Sequence, residues 1–135
     1  MAGRHGGIYI THMREEGLGL FDSVKETIHI AEAAGLPAQV THHKVMGARM
    51  WGKSVDSLAL IDGANARGLD VSSDQYPYAA SSTGIDVLFP AWSLAGDRQT
   101  RLARMADAQT RQRIKDGIVD NLVNDRGGND PARVA

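Results

Sequence analysis

Two histidines with similar surroundings stand out among the residues that could do chemistry. His12 follows the short apolar run Ile8-Tyr9-Ile10, and His42 follows a second run that ends at Val40. Neutral imidazole nitrogens from neighbouring strands are natural ligands for zinc or a similar divalent ion in a hydrolytic site. The pair therefore predicts a metal site. The alternative is that each histidine is partly buried and hydrogen-bonded to the backbone.

The sequence limits how such a metal could be held. The chain has no cysteine, so the ligands must be nitrogen and oxygen atoms. His42 shares the strand alternation of Val40, whereas the adjacent His43 should point to the opposite face, so we expect only His42 to reach the metal. A catalytic zinc site usually has three protein ligands. Asp74 and Glu15 are candidates for a third, but their spacing singles out neither.

Other polar side chains near these histidines could bind a substrate. Lys44 could bind a carboxylate as a point charge, and Arg14 or Arg49 could bind one in a bidentate fashion. Tyr76 could donate a hydrogen bond to a developing oxyanion, and Ser82 could bind a polar group. The alternative for Tyr76 and Ser82 is structural, a rigid aromatic start to a loop and a simple turn.

A repeat in the sequence predicts the elements that would position these side chains. A polar cluster follows a third apolar run and begins at Ser72, which is 30 positions after His42, just as His42 is 30 positions after His12. A strand, a crossover helix and the next parallel strand take about 30 residues. The spacing therefore predicts consecutive βα units. Polar residues at the carboxyl ends of parallel strands form the active face of α/β barrels and doubly wound sheets.

We expect a single α/β domain with strands over residues 8–11, 38–41 and 69–72. Helical spacing predicts a first crossover helix with a Ser23 and Glu26 capping box, ended by Gly35. A second helix is predicted to be capped by Ser54. Its inner face is predicted to consist of Val55, Leu58, Ile61 and Ala64. Two further helices are expected near the carboxyl terminus, the last with Asp107 as its cap.

Composition narrows the class of protein. The 135 residues contain 42% hydrophobic residues and carry a net charge of −1, which gives no footprint for nucleic acid or an anionic membrane. Neither a membrane span nor a signal-peptide core is visible, so a cytoplasmic location is expected. A complete (β/α)₈ barrel takes about 250 residues, so the predicted strands would form only part of one. The open sheet edges would then favour self-association.

Three motifs together resemble the D-aminoacylase, or N-acyl-D-amino-acid deacylase, branch of the amidohydrolase superfamily. They are residues 12–16, residues 42–47, and residues 74–78 followed by Ser82-Thr83, in the same order and spacing. The resemblance implies a partial (β/α)₈ barrel in which His12 and His42 end the fifth and sixth strands and bind zinc. Residues 5–35, 36–68 and 69–124 would then be parts of the central segment of the barrel.

The resemblance also implies a reaction and roles for other residues. Zinc-bound hydroxide would attack the amide carbon of an N-acyl-D-amino acid and release a D-amino acid and a carboxylate. Lys44, Tyr76 and Ser82 match positions that hold the substrate carboxylate and the scissile carbonyl, with Tyr76 and zinc polarising that carbonyl. The family's His-X-His pair, bridging cysteine and catalytic aspartate have no counterpart here. The aspartate would be the general base, so the chain alone is expected to be weakly active or inactive.

Two other functions stay open. One is a non-catalytic chain, either truncated or a module that completes a barrel with another chain. The other is a related amidohydrolase that acts on a cyclic amide or on a D-glutamate or D-aspartate derivative. In each enzymatic case the predicted partner is a small molecule.

Overall fold

The computed structural model describes residues 2–125, except for the side chain of Asp125. These residues divide into two compact units whose boundary in the sequence lies between Pro77 and Tyr78. Among the described residues, the strands lie in the first unit, and the second consists of helices and connecting segments. Whether residues 1–135 form one barrel segment with the predicted internal boundaries stays a prediction.

A small parallel sheet organises the first unit. Its strands are β1 (Tyr9–Thr11), β2 (Ala38–Val40) and β3 (Val71–Ser73), paired in the order β1-β2-β3. Tyr9 lies beside Ala38, and Ala38 lies beside Val71. The predicted mixed α/β class with consecutive parallel strands is thus confirmed, although β2 ends one residue early and β3 begins two residues late.

Helix α1 (Leu20–Ala34) connects β1 to β2. As predicted, it ends at Gly35, which adopts the left-handed conformation and donates its N–H to the carbonyls of the last turn. The predicted capping box is wrong. The helix begins before Ser23, because Leu20 is fully buried in the core and fixes its first turn. Ser23 lies inside the helix, and its hydroxyl accepts a hydrogen bond from the backbone N–H of Glu15 at 3.0 Å.

Helix α2 (Ser54–Ala66) connects β2 to β3 and buries only part of the predicted face. Its buried residues are Ser57, Ile61 and Ala64, which follow helical spacing. Val55 is 72% exposed, so it is not part of that face. Leu58 is 41% exposed as well. Only Ile61 and Ala64 of the predicted four are buried, because the polar Ser57 takes the buried position in the first turn. Ser54 forms no side-chain cap either, since the helix starts at Ser54 itself.

Both helices pack on one face of the sheet. The core between them is formed by apolar side chains, namely Met13, Leu20, Val24, Ile28, Ala31, Ala38, Val40, Ile61, Ala64 and Val71. The opposite face carries Ile10, Gln39 and Ser72, which are neighbours across the three strands. Ile10 is 57% exposed there. Parallel sheets are usually covered on both faces, so the exposure of Ile10 in the described part of the chain makes this an unusually bare face.

The remaining elements are short turns and the helices of the second unit. Three-residue or four-residue 3₁₀ turns occur at Ala2–His5, Ala48–Met50 and Ile85–Leu88. The second unit contains α3 (Ala91–Leu94), α4 (Arg98–Ala106) and α5 (Ala108–Asp120), followed by a π-helical turn at Asn121–Asp125.

An aspartate side chain caps the start of both α4 and α5. The Asp97 carboxylate accepts the backbone N–H of Thr100 at 2.8 Å, and Asp107 accepts that of Thr110 at 2.7 Å. Asp107 is therefore the cap that the sequence predicts.

Over residues 2–125, no helix combines the length and the apolar character needed to cross a membrane. The cytoplasmic location stays a prediction.

Candidate functional site

His12 and His42 lie side by side at the carboxyl ends of β1 and β2. Thr11 pairs with Val40 in the parallel register, so the residues that follow these two strands are neighbours. The ring centroids are 4.3 Å apart, and Nδ1 of His12 contacts Nε2 of His42. The fold thus brings together the two histidines that the sequence selects, although metal binding by them stays a prediction.

An unusual turn of the backbone positions His42. Its φ is 43°, a left-handed conformation that costs a residue with a Cβ atom roughly 1–2 kcal/mol. The backbone N–H of His42 donates to Oδ1 of Asp74 at 2.5 Å, which helps to offset that cost. The other oxygen of Asp74 accepts a hydrogen bond from the side-chain amide of Gln39. Asp74, which follows β3, therefore fixes the turn after β2.

These hydrogen bonds also keep the Asp74 carboxylate charged. The N–H of His42 and, after it, the amide of Gln39 lower the pKa of Asp74 below its ordinary value. Asp74 is one of the two candidates for a third metal ligand. In this structure both of its oxygens accept hydrogen bonds from β2 and the turn that follows it.

His43 points away from His42 into the protein. It is 5% exposed, and its Nε2 lies 3.0 Å from Oγ of Ser57 on α2. Burial lowers the pKa of His43 and favours the neutral ring. The two adjacent histidines point in different directions, as predicted, but strand alternation is not the cause. β2 ends at Val40, and the left-handed turn at His42 separates the rings.

Glu16 lies at the centre of a charged cluster that sequence analysis missed. Its Oε1 is 2.6 Å from Nζ of Lys44 and 3.0 Å from Nδ1 of His42, and Nζ of Lys44 is 2.8 Å from the same Nδ1. The Glu16 and Lys44 side chains are only 14% and 21% exposed. No spacing in the sequence distinguishes Glu16 from Glu15. The distinction depends on how the loops after β1 and β2 meet.

Glu15, the other candidate for a third metal ligand, is turned back on its own backbone. Its Oε1 accepts the N–H groups of Glu16 and Gly17, each at 2.7 Å. In the part of the chain that the structure describes, no cluster of three or more His, Asp or Glu side chains could hold a metal ion. The described part of the chain therefore shows no third ligand, and metal binding by His12 and His42 stays a prediction.

The predicted substrate-binding residues differ in their placement. The Tyr76 ring lies near Lys44, with Nζ 5.9 Å from the ring centroid, at the outer limit of a cation–π contact. Arg14 forms a paired hydrogen bond with Glu26 on α1, and Arg49 is exposed in a 3₁₀ turn. Ser82 lies in the second unit and is exposed.

A concave surface of about 620 Å³ runs along α1 but does not include the facing histidines. Arg14, Asp22, Lys25 and Glu26 are among the residues that line it. Arg14 pairs with Glu26 at 2.8 Å, and Lys25 pairs with Asp22 at 3.5 Å. Because these two ion pairs are exposed, this surface gives no evidence of a separate chemical site.

The two ring nitrogens are donors of the kind that a divalent metal binds, although in this structure they contact each other directly. A neutral imidazole offers one nitrogen lone pair, and the second nitrogen of a metal-bound histidine usually faces a carboxylate, a carbonyl or water. His42 has this arrangement, with Nε2 toward His12 and Nδ1 near Glu16. The donor set of nitrogen with nearby carboxylates suits zinc and similar ions.

Comparison with known proteins finds relatives over more than half of the chain. A D-aminoacylase from Alcaligenes xylosoxydans xylosoxydans is 49% identical over 79 residues, which are 58% of this chain and 16% of the relative. No protein-family model matches the chain. The chain thus spans about a sixth of the length of this curated relative.

Solved structures of D-aminoacylases and of a related deacylase are also similar to this chain. A D-aminoacylase structure described as defining a novel subset of amidohydrolases is 46% identical, with a TM-score of 0.56 over 58% of this chain and 16% of that one. Another D-aminoacylase structure, 45% identical with a TM-score of 0.54 over 56% and 16%, is described for its binuclear metal centre. An N-acyl-D-glutamate deacylase from Bordetella bronchiseptica, complexed with zinc and a phosphonate inhibitor, is 36% identical, with a TM-score of 0.56 over 57% and 16%.

Proposed function

This chain is related to the D-aminoacylases and N-acyl-D-amino-acid deacylases, as its motifs predict, and from that relationship we propose that it carries part of a zinc-dependent amidohydrolase site. The site would hydrolyse the amide of N-acyl-D-amino acids. The observation that carries the proposal is the contact of the His12 and His42 ring nitrogens at the ends of adjacent parallel strands.

The arrangement of the sheet supports a segment of a (β/α)₈ barrel. The strands follow one another in chain order, and both connecting helices lie on the same face. A doubly wound sheet places helices on both faces, whereas a barrel places them outside and encloses the other face. The bare face at Ile10 corresponds to the barrel interior in this proposal. Residues 5–35, 36–68 and 69–124 would supply consecutive parts of the barrel.

His12 and His42 would hold the metal as neutral imidazoles. When bound, zinc supplies an activated water at neutral pH and polarises a substrate carbonyl. Three protein ligands are usual, so at least one more would come from outside the facing pair. The related structures with zinc and with a binuclear metal centre support a metal requirement for the whole site.

Lys44, Tyr76 and Ser82 would bind the substrate. The Lys44 ammonium would hold the carboxylate of the N-acyl-D-amino acid by charge. The Tyr76 hydroxyl would donate a hydrogen bond to the carbonyl oxygen as negative charge develops on it, which makes Tyr76 the catalytic residue in this sequence. Ser82 would add a hydrogen bond to a polar group of the substrate.

A second candidate function is a non-catalytic module that completes a barrel with another chain. The bare sheet face with the exposed Ile10 favours it, because such a surface needs a cover. This sequence has no cysteine and no His-X-His pair, which also fits a chain that contributes only part of a site.

A segment exchange tests the proposed function. The matching segment of the Alcaligenes D-aminoacylase would be replaced by the corresponding residues of this chain, and the release of D-amino acids would be measured with and without a metal chelator. We expect chelator-sensitive activity that His42→Ala abolishes and His43→Ala largely retains. A folded, zinc-loaded hybrid that releases no D-amino acid would contradict the proposal.

A further inference from the structure

We propose that Glu16 is a positioning residue that fixes both the Lys44 ammonium and the His42 ring. This inference rests on the proposed function, because it assigns a role within the same metal and substrate site. Glu16 contacts neither substrate nor metal in this proposal. It acts through the two side chains that do.

Glu16 joins the two loops that carry these side chains. Its backbone carbonyl accepts the N–H of Met46 at 2.8 Å, which ties the loop after β1 to the loop after β2. Its carboxylate then reaches Lys44 and His42, both in the second loop. Backbone and side chain together therefore set how the two loops meet.

The pairing with Lys44 is short and mostly shielded from water. Nζ of Lys44 donates to Oε1 of Glu16 at 2.6 Å, and both side chains are less than a quarter exposed. A charge-assisted hydrogen bond in such surroundings is stronger than one on the surface. A lysine beside a bound cation would otherwise be repelled by it, so the carboxylate balances the local charge.

The contact with His42 sets the direction of its ring. A histidine that binds a metal through Nε2 carries its proton on Nδ1 and needs an acceptor for it. Oε1 of Glu16 lies 3.0 Å from that nitrogen. Nζ of Lys44 lies 2.8 Å from the same nitrogen, but it donates its protons to Oε1 of Glu16 and to the carbonyl of His42, which leaves the Nδ1 proton for Glu16. Glu15 is unsuitable for the role because its carboxylate is turned back on the N–H groups of Glu16 and Gly17. Carboxylate partners of metal-bound histidines also raise the basicity of the ring.

Zinc titration of the 135-residue chain tests the role. We expect Glu16→Gln, which keeps the size of the side chain, to weaken zinc affinity by roughly 10–100-fold. Glu32→Gln removes a charge from the exposed outer part of α1 and should leave the affinity unchanged. An unchanged zinc affinity in Glu16→Gln would overturn the role toward His42.

Nitrogen-15 spectra of the histidine rings give a second readout that a purely structural role would not move. In zinc-loaded wild-type chain we expect the proton of His42 on Nδ1, protected from exchange, and in Glu16→Gln a faster exchange of that proton. Glu16→Asp, which keeps the charge but withdraws the carboxylate by one methylene, should lie between the two. Glu16→Asp also replaces Glu16→Gln as the test variant if Glu16→Gln does not fold.

The outcomes separate this inference from the proposed function. If wild-type chain and a His12→Ala/His42→Ala variant bind zinc alike, the metal site itself is wrong, and the role of Glu16 falls with it. If wild-type chain binds zinc and Glu16→Gln binds it equally tightly with an unchanged His42 signal, only the role of Glu16 is overturned.

Discussion

The ring of His43 lies 3.0 Å from the hydroxyl of Ser57, so the loop after β2 is fastened to the helix that follows it. The Ser57 hydroxyl also donates to the carbonyl of Ser54 at 3.0 Å, which leaves it to accept from Nε2 of His43. His43 is thus held inside the protein, while the neighbouring His42 faces His12. Two adjacent histidines have different surroundings and should respond differently to substitution.

We expect His43→Ala to act on stability and His42→Ala to act on zinc. Removal of the His43 ring leaves the buried Ser57 hydroxyl without its donor, which should lower the free energy of unfolding by about 1–3 kcal/mol. Zinc affinity should fall far more in His42→Ala than in His43→Ala. Urea unfolding and zinc titration of both variants measure the two effects. Equal zinc losses in the two variants would count against His42 as a ligand.

Two helical glycines should respond to alanine in opposite directions. A Cβ atom at Gly63 in α2 would meet only the end of the Arg67 side chain, at 3.9 Å. Gly63→Ala should therefore stabilise the chain by about 0.5–1 kcal/mol, the usual gain in a helix interior. A Cβ atom at Gly117 in α5 would clash with Cγ of Pro90, so Gly117→Ala should destabilise it. Thermal unfolding compares the pair, and stabilisation by both would contradict the close packing of Gly117.

The cap at Asp107 predicts that the stability of the folded chain depends on pH. The hydrogen bonds from Thr110 lower the pKa of this carboxyl below its ordinary value of 3.8, so the folded chain prefers the charged form. The contribution of the charged carboxylate to stability is complete above the ordinary pKa of the unfolded chain. It is lost as the pH falls through the lowered pKa of the folded chain. Asp107→Asn keeps a cap but cannot titrate. The advantage of the wild-type chain over this variant should shrink on acidification, as measured by unfolding at pH 6 and at about pH 2.5. A constant difference would argue against the cap.

The bare face of the sheet predicts self-association. Ile10 is 57% exposed there, and among the described residues β1 and β3 are the edge strands, each of which could pair with another chain. Light scattering should show a molecular mass that rises with concentration. Ile10→Lys should reduce this rise, whereas Val55→Lys, on the exposed side of α2, should not. An equal effect of both changes would indicate that general solubility, not the sheet face, controls association.

The isolated chain should show little or no deacylase activity. The residues that the resemblance assigns to the first strand and to the general base have no counterpart in this sequence. A general base in the proposed reaction contributes typically 10²–10⁴-fold, so its absence should be decisive. Incubation of the purified chain with zinc and an N-acyl-D-amino acid, followed by detection of free D-amino acid, measures this. Clear zinc-dependent release would show that the chain supplies its own base.

The sequence by itself determined the features that depend on local patterns. Repeated apolar runs with helical spacing between them predicted the parallel strands and their connecting helices. Gly35 predicted the end of α1, and Asp107 predicted the start of α5. Because a strand repeats every two residues and a helix every 3.6, such features are visible in a short window. The two histidines were also visible, because each lies within two residues of the end of a strand.

Only the tertiary structure decided how the loops meet. Glu16 differs from Glu15 because the loop after β1 is bonded to the loop after β2. Asp74 fixes His42 because β3 lies beside β2, and no pattern within either segment predicts that hydrogen bond. The buried face of α2 depended on Ser57, whose burial is compensated by His43. These relationships join residues far apart in sequence, and their geometry follows from strand register and side-chain hydrogen bonds, which local periodicity does not encode.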